Sequence, residues 1–294
     1  MIRPRIVATA VVAAGLGAAV GGLGYGAREL LHRQAETARR LIGKPLGEHA
    51  PSADRTWKKR YGGEPVQLLL LGDSIAAGLG ADLPNETLGG RLSKALAKQL
   101  ERPVRLTTGA VVGSESSMLA AQLDRLPAAY RPDVAVVVVG GNDVTHRVPV
   151  PESVRHLEET IARLRSVGCA VVVGTCPDLG ALRPVPQPLR SLGSRASRQL
   201  AQAQAAAAIG AGAHAVSLAD VVGPFFITNP DEMFSLDRFH PSATGYKRTA
   251  KAMLPSVLAA LGMAAEVPFG HRAPAAPAAP AAPAAPAAPV APVV

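Results

Sequence analysis

At 294 residues, 48% hydrophobic and 18% charged, the chain is neither collagenous nor disordered throughout, and its two cysteines exclude a disulfide scaffold. Five Phe, four Tyr and one Trp leave little from which to build base-stacking platforms. The net charge of +9 sits mainly in residues 1–60, with 11 Lys/Arg against 4 Asp/Glu; the remainder holds 20 against 18, so the folded part is not expected to bind nucleic acid.

Arg3 and Arg5 precede an uncharged run from Ile6 to Ala27. Its 22 residues would span about 33 Å as a helix, enough to cross the hydrocarbon core of a bilayer, although Gly and Ala make it weakly hydrophobic. An uncleaved membrane-spanning anchor is the expectation. A cleaved signal peptide is the alternative, weakened by Tyr25 at the candidate −3 position before Gly26-Ala27. Flanking charges do not orient the segment, since Arg3 and Arg5 stand against Arg28, Arg33, Arg39, Arg40 and Lys44. Its place at the start of the chain, and the tail described below, favour a folded domain outside the cytoplasm. Secretion after cleavage, or an anchor facing the cytoplasm, are the other outcomes. With this run, residues 1–60 read as an apolar segment and a basic connector, either solvated or facing lipid headgroups.

Residues 61–265 are ample for one core of two or three layers. Val66–Gly72 (VQLLLLG) is a short apolar run ending in Gly and predicts a strand buried on both faces. Similar runs follow at Val104–Thr108, Val134–Val139, Ala170–Gly174 and, more weakly, His214–Leu218. Helical patterns alternate with them at Leu88–Leu100, Ser117–Leu126, Glu152–Val167, Ser191–Ala208 and Ala243–Leu261. This alternation predicts an α/β fold, a parallel sheet of about five strands with helices on both faces, whose ligands sit beyond the carboxyl ends of the strands.

Those strand ends carry the chemistry. The first delivers Gly72-Asp73-Ser74, a serine at a strand-to-helix turn among small residues, with no dinucleotide fingerprint behind it. The second runs into Thr107-Thr108-Gly109 and on to Gly113-Ser114, where glycine lets backbone approach a ligand closely. The third ends in Gly140-Gly141-Asn142-Asp143 and offers the Asn142 amide as a donor. Before the last helix stands Asp237-Arg238-Phe239-His240-Pro241-Ser242. There a carboxylate three residues before an imidazole holds Nδ1 and leaves Nε2 free to accept a proton. Taken singly, each motif also reads as an ordinary cap or turn. His146, four residues after Asn142, reaches the rim of the expected pocket without a catalytic role.

Together, Gly-Asp-Ser, Gly113, Gly140-x-Asn142-Asp143 and Asp237-x-x-His240, in chain order, resemble the four sequence blocks of the SGNH (GDSL) hydrolase family. The resemblance covers residues 66 to about 262. It implies a flavodoxin-like three-layer α/β/α sandwich that hydrolyses esters with no metal and no cofactor. It further implies Ser74 as nucleophile, His240 as general base and Asp237 as its orienting group. The oxyanion hole would comprise the N–H groups of Ser74 and Gly113 and the Asn142 side chain. Thr107 and Thr108 stand where family members often carry Asn, which leaves Gly109 as an alternative donor; the spacing to Ser114-Glu115-Ser116 favours Gly113. Asp73 and Asp143 are expected to buttress their loops.

Few aromatics and no obvious long apolar lid predict a short acyl group on a sugar or small alcohol. Acyl transfer to a sugar hydroxyl from the same site, and a non-catalytic glycan-binding or envelope role, are the rival readings; the latter would need a degraded triad. Cys169 and Cys176 bracket a predicted strand; seven residues of extended chain would hold them about 23 Å apart, too far for a disulfide, and they read as small buried hydrophobes. Residues 266–294 form a tail in which Pro-Ala-Ala repeats at period three, either an extended polyproline-II spacer or a neutral disordered segment. Neither the oligomeric state nor the natural ester is legible.

Overall fold

The computed structural model describes residues 25–274. Most of the apolar run at 6–27 and of the Ala/Pro tail therefore lies outside the described residues. Among the described residues, no helix is long and apolar enough to cross a membrane.

In chain order the elements are helix α1 (25–42), β1 (Thr56–Trp57), β2 (Val66–Gly72), α2 (Ser74–Ala77), α3 (Leu88–Leu100) and β3 (Val104–Thr108). Next come α4 (Leu119–Asp124), β4 (Val134–Val138), α5 (Gly141–His146), α6 (Val150–Ser166), β5 (Ala170–Gly174), α7 (Leu189–Gly210) and β6 (His214–Val216). Three short helices follow, α8 (Leu218–Val221), α9 (Gly223–Thr228) and α10 (Pro230–Met233), then α11 (Ala243–Ala260) and β7 (His271–Arg272). The sheet order is β1-β3-β2-β4-β5-β6-β7.

The five strands from β3 to β6 are parallel, as the alternation of runs predicts, and β1 and β7 add antiparallel edges. The sheet thus has seven strands rather than about five. Both extra strands are two residues long, too short for a hydrophobic period, and they come from the basic connector and the head of the tail. Trp57 anchors the first of them, buried and donating its indole N–H to the Ala53 carbonyl at 3.1 Å.

The pleat sorts the central strand between two cores. Leu68 and Leu70 face one layer with Leu92 and Leu96 of α3 and Met253 of α11; Leu69 and Leu71 face the other with Leu157 and Ile161 of α6. All four β2 leucines are fully buried, each contributing about 1.5–3 kcal/mol. Cys169 and Cys176 are free and buried, and burial pushes the Cys169 thiol up to about 12.

Chain direction across the sheet reverses at β2. From it the chain steps outward to β3, then returns to β4 on the other side. Such a switch point opens a crevice at the carboxyl ends of β2 and β4, where Ser74 and Asn142 emerge.

Candidate active site

Gly72 ends β2 with φ +128°, and a Cβ there would lie 1.8 Å from the Val138 carbonyl oxygen. A side chain would push β2 away from β4, so only glycine lets the chain turn here and start α2 at Ser74. Gln122, buried on α4, clamps the same residue. Its amide accepts from the Gly72 N–H at 2.9 Å and donates to the Gly72 carbonyl at 2.8 Å. Tyr246 of α11 holds the far side of the turn, its buried hydroxyl donating to the Leu79 carbonyl at 2.6 Å.

Asp237 and His240 sit on a tight loop closed by the Phe234–Pro241 bridge and by the Ser235 N–H donating to the His240 carbonyl at 2.8 Å. Gly80 lets the turn after Ser74 pack on this loop, since a Cβ there would meet the Pro241 carbonyl oxygen at 2.4 Å. The two segments thereby meet. Asp237 Oδ2 lies 2.5 Å from His240 Nδ1, and His240 Nε2 lies 2.9 Å from Ser74 Oγ. The other oxygen, Oδ1, accepts the N–H groups of Phe239 and His240, each at 2.9 Å. Burial raises the Asp237 carboxyl's pKa, but the hydrogen bonds from His240 and the two loop N–H groups outweigh it, holding the group below the usual carboxylate range. The carboxylate is therefore ionised at neutral pH, directly behind the imidazole.

Asn142 lies in the same pocket wall as Ser74 and His240. One of its amide hydrogens goes to the Ser114 carbonyl at 2.9 Å, leaving the second for a pocket ligand. Gly113 lines the cavity with Ser74 and His240. Neither the Ser74 N–H nor the Gly113 N–H meets an acceptor among the described residues. All five residues singled out from the sequence thus come to one crevice; Gly109 does not, its N–H being spent on the Leu70 carbonyl at 2.8 Å.

The two remaining acids behave as buttresses. Asp143 is fully buried and accepts from the Ser116 N–H at 3.1 Å and the Ser153 hydroxyl at 2.6 Å, tying α5 to the loop after Gly113. An Asp-x-x-His spacing also occurs at Asp143–His146, but that imidazole is exposed and pairs with Glu115 at 2.6 Å. Sequence reasoning passed over Gln122, whose only signal is an amide in the middle of the pattern at 117–126.

Asp73 caps α2 by accepting the Ile75 N–H at 2.9 Å, and burial pushes its carboxyl up to about 7 against the pull of that N–H and of His240. Between the ordinary value of 3.8 and about 7, the folded protein holds a proton that the unfolded chain has released. Stability therefore falls as pH rises through this window, by up to about 4 kcal/mol. Asp73→Asn keeps the cap without the charge. Its melting temperature relative to wild type should climb from about pH 4 to about pH 8. Parallel pH profiles of the two proteins would contradict this.

A family model described as GDSL-like lipase/acylhydrolase matches residues 70–248. The chain belongs to this family. A curated relative, the GDSL-like esterase Rv1075c of Mycobacterium tuberculosis, is 37% identical over 284 residues, covering 92% of this chain and 89% of the relative. Solved structures give the same fold at lower identity. The psychrotrophic esterase EstA of Pseudoalteromonas sp. is 18% identical with a TM-score of 0.53, covering 67% of this chain and 99% of that one. Axe2, an acetylxylan esterase from Geobacillus stearothermophilus, is 19% identical with a TM-score of 0.53, covering 69% and 96%. The protein is thus an SGNH-type carboxylic ester hydrolase, and the five residues gathered in the crevice lie within the matched region.

Proposed function

We propose that this GDSL hydrolase cleaves a short-chain carboxylic ester through an acyl-enzyme on Ser74. The observation that carries the reading is the unbroken relay from Asp237 through His240 to Ser74 Oγ, at 2.5 and 2.9 Å. His240 Nε2 removes the hydroxyl proton as Oγ bonds to the ester carbonyl carbon. The resulting oxyanion is held by the Ser74 and Gly113 N–H groups and the free Asn142 amide hydrogen. Its collapse breaks the acyl C–O bond, and the imidazolium returns the proton to the departing alcohol oxygen. Water then adds with His240 again as base and releases the acid. Asp237 holds the Nδ1–H tautomer and stabilises the imidazolium.

A small apolar cavity beside Ser74, about 70 Å³ and walled by Leu182, Leu218, Val222, Phe226 and Phe234, supports a short acyl group. Anchorage at a membrane belongs to the same proposal and is supported by the apolar run at 6–27; the place of that run at the start of the chain and the Ala/Pro tail support a hydrolase domain outside the cytoplasm.

Asn142→Ala tests the oxyanion assignment. Hydrolysis of p-nitrophenyl acetate should lose roughly 10²- to 10³-fold in kcat with a smaller change in KM. An unchanged kcat would remove Asn142 from the mechanism.

A further inference from the structure

The crevice has a roof that the family domain does not supply. Residues 28–54, all before the matched region, line a cavity of about 1580 Å³ whose floor includes Ser74, Asn142 and His240. The roof is pinned at both ends. Near its start, the Gln34 side-chain amide donates to the Gln187 carbonyl and accepts the Leu189 N–H at 3.0 Å. At its end, the Asp54 carboxylate accepts the Thr108 N–H at 3.0 Å and the Thr108 hydroxyl at 2.7 Å. It therefore runs from the head of α7 to the end of β3, across the mouth of the switch point.

The lining of this chamber has two characters. Leu31, Ala35, Ala38 and Ile42 recur at helical spacing and turn one face of α1 to the cavity, with Leu182, Val185 and Leu189 also in its walls. Arg28, Arg39, Arg147 and Arg190 line the same space, and none has a carboxylate partner among the described residues. Of the carboxylates present, Glu48 pairs with Lys44 and Asp237 with His240, and Asp54, bonded to the neutral Thr108, leaves one negative charge against the four guanidinium groups. Apolar walls beside unneutralised guanidinium groups suit an amphiphile with a negative end.

We propose that residues 28–54 form the alcohol side of the active site and select esters whose leaving group is bulky and anionic, carrying phosphate, sulfate or carboxylate. The acyl group stays in the small cavity, and the released alcohol occupies the chamber with its charge among the arginines. The inference rests on the Ser74 reading and names the substrate class for it.

The test compares two acetates of one ring system, neutral 1-acetoxypyrene and trianionic 8-acetoxypyrene-1,3,6-trisulfonate, with the full chain at low salt. The anionic ester should have the higher kcat/KM. In the combined Arg39→Glu, Arg147→Glu variant, the anionic-to-neutral ratio should fall by at least about tenfold, mainly through KM, and salt should lower the wild-type ratio. The pair Arg39→Gln, Arg147→Gln should lower it by a smaller factor, and this covers failure of the reversed pair to fold. A ratio unchanged by either pair, or a parallel loss on both esters, would overturn the proposal while leaving Ser74 in place. Turnover of the neutral ester that survives Ser74→Ala would overturn the underlying reading instead.

Discussion

Ser74→Ala should lower kcat on p-nitrophenyl acetate by about four to six powers of ten, leaving only the rate that binding and the oxyanion donors sustain. The expectation follows from placement. The hydroxyl is the only group of Ser74 that meets His240 Nε2, and no second hydroxyl is within hydrogen-bond reach of that nitrogen among the described residues. The backbone should be undisturbed, because the turn is set by Gly72, Gln122 and Asp73 rather than by the serine side chain. A melting temperature within a few degrees of wild type is the control that separates lost chemistry from lost structure. Retained turnover in a folded Ser74→Ala protein would contradict the nucleophile assignment.

Asp237→Asn should cost about 10⁴-fold in kcat at neutral pH, a second large effect with a different cause. Asparagine fits the space and its oxygen still accepts the Phe239 and His240 N–H groups, so the loop should keep its shape. Its amide nitrogen, however, then faces His240 Nδ1 as a donor. The imidazole is forced to carry its proton on Nε2, pointing an N–H at Ser74 where a lone pair is needed. The variant should fold and bind ester but fail to deprotonate the hydroxyl. If kcat fell less than about tenfold, the imidazole would not depend on Asp237 for its tautomer.

The parts of the fold that the sequence displays are those where local pattern and tertiary environment agree. Val66–Gly72 and Ala170–Gly174 are strands to the residue, because a strand buried on both faces needs a near-continuous apolar run, and Val104–Thr108 matches as well, there with Val104 and Leu106 buried and Arg105 exposed between them. Helix ends moved by one or two residues at α6, α7 and α11, and α4 begins two later, after a 3-10 turn at Ser116–Met118. The short helices α8 to α10 carry no periodic signal, being four to six residues each. Ser217 leaves the expected strand at His214–Leu218 to cap the first of them.

The site was legible for a related reason. Ser74, Asn142 and His240 each sit where the chain leaves a sheet strand or enters the last helix, so their convergence follows from parallel topology. What stayed hidden depends on contacts between distant segments. Nothing local to Gln34 reveals that its amide binds backbone more than 150 residues away, and so residues 28–54 read as a connector rather than as the roof of the crevice. Gln122 was obscured in the same way, its partner being the backbone of Gly72 fifty residues earlier.

The most direct measurement is the site of covalent capture. Wild-type protein treated with a fluorophosphonate should gain one adduct, and fragmentation of the modified peptide should place it on Ser74. An adduct on any other residue, or full inhibition with Ser74 unmodified, would contradict an acyl-enzyme at this position.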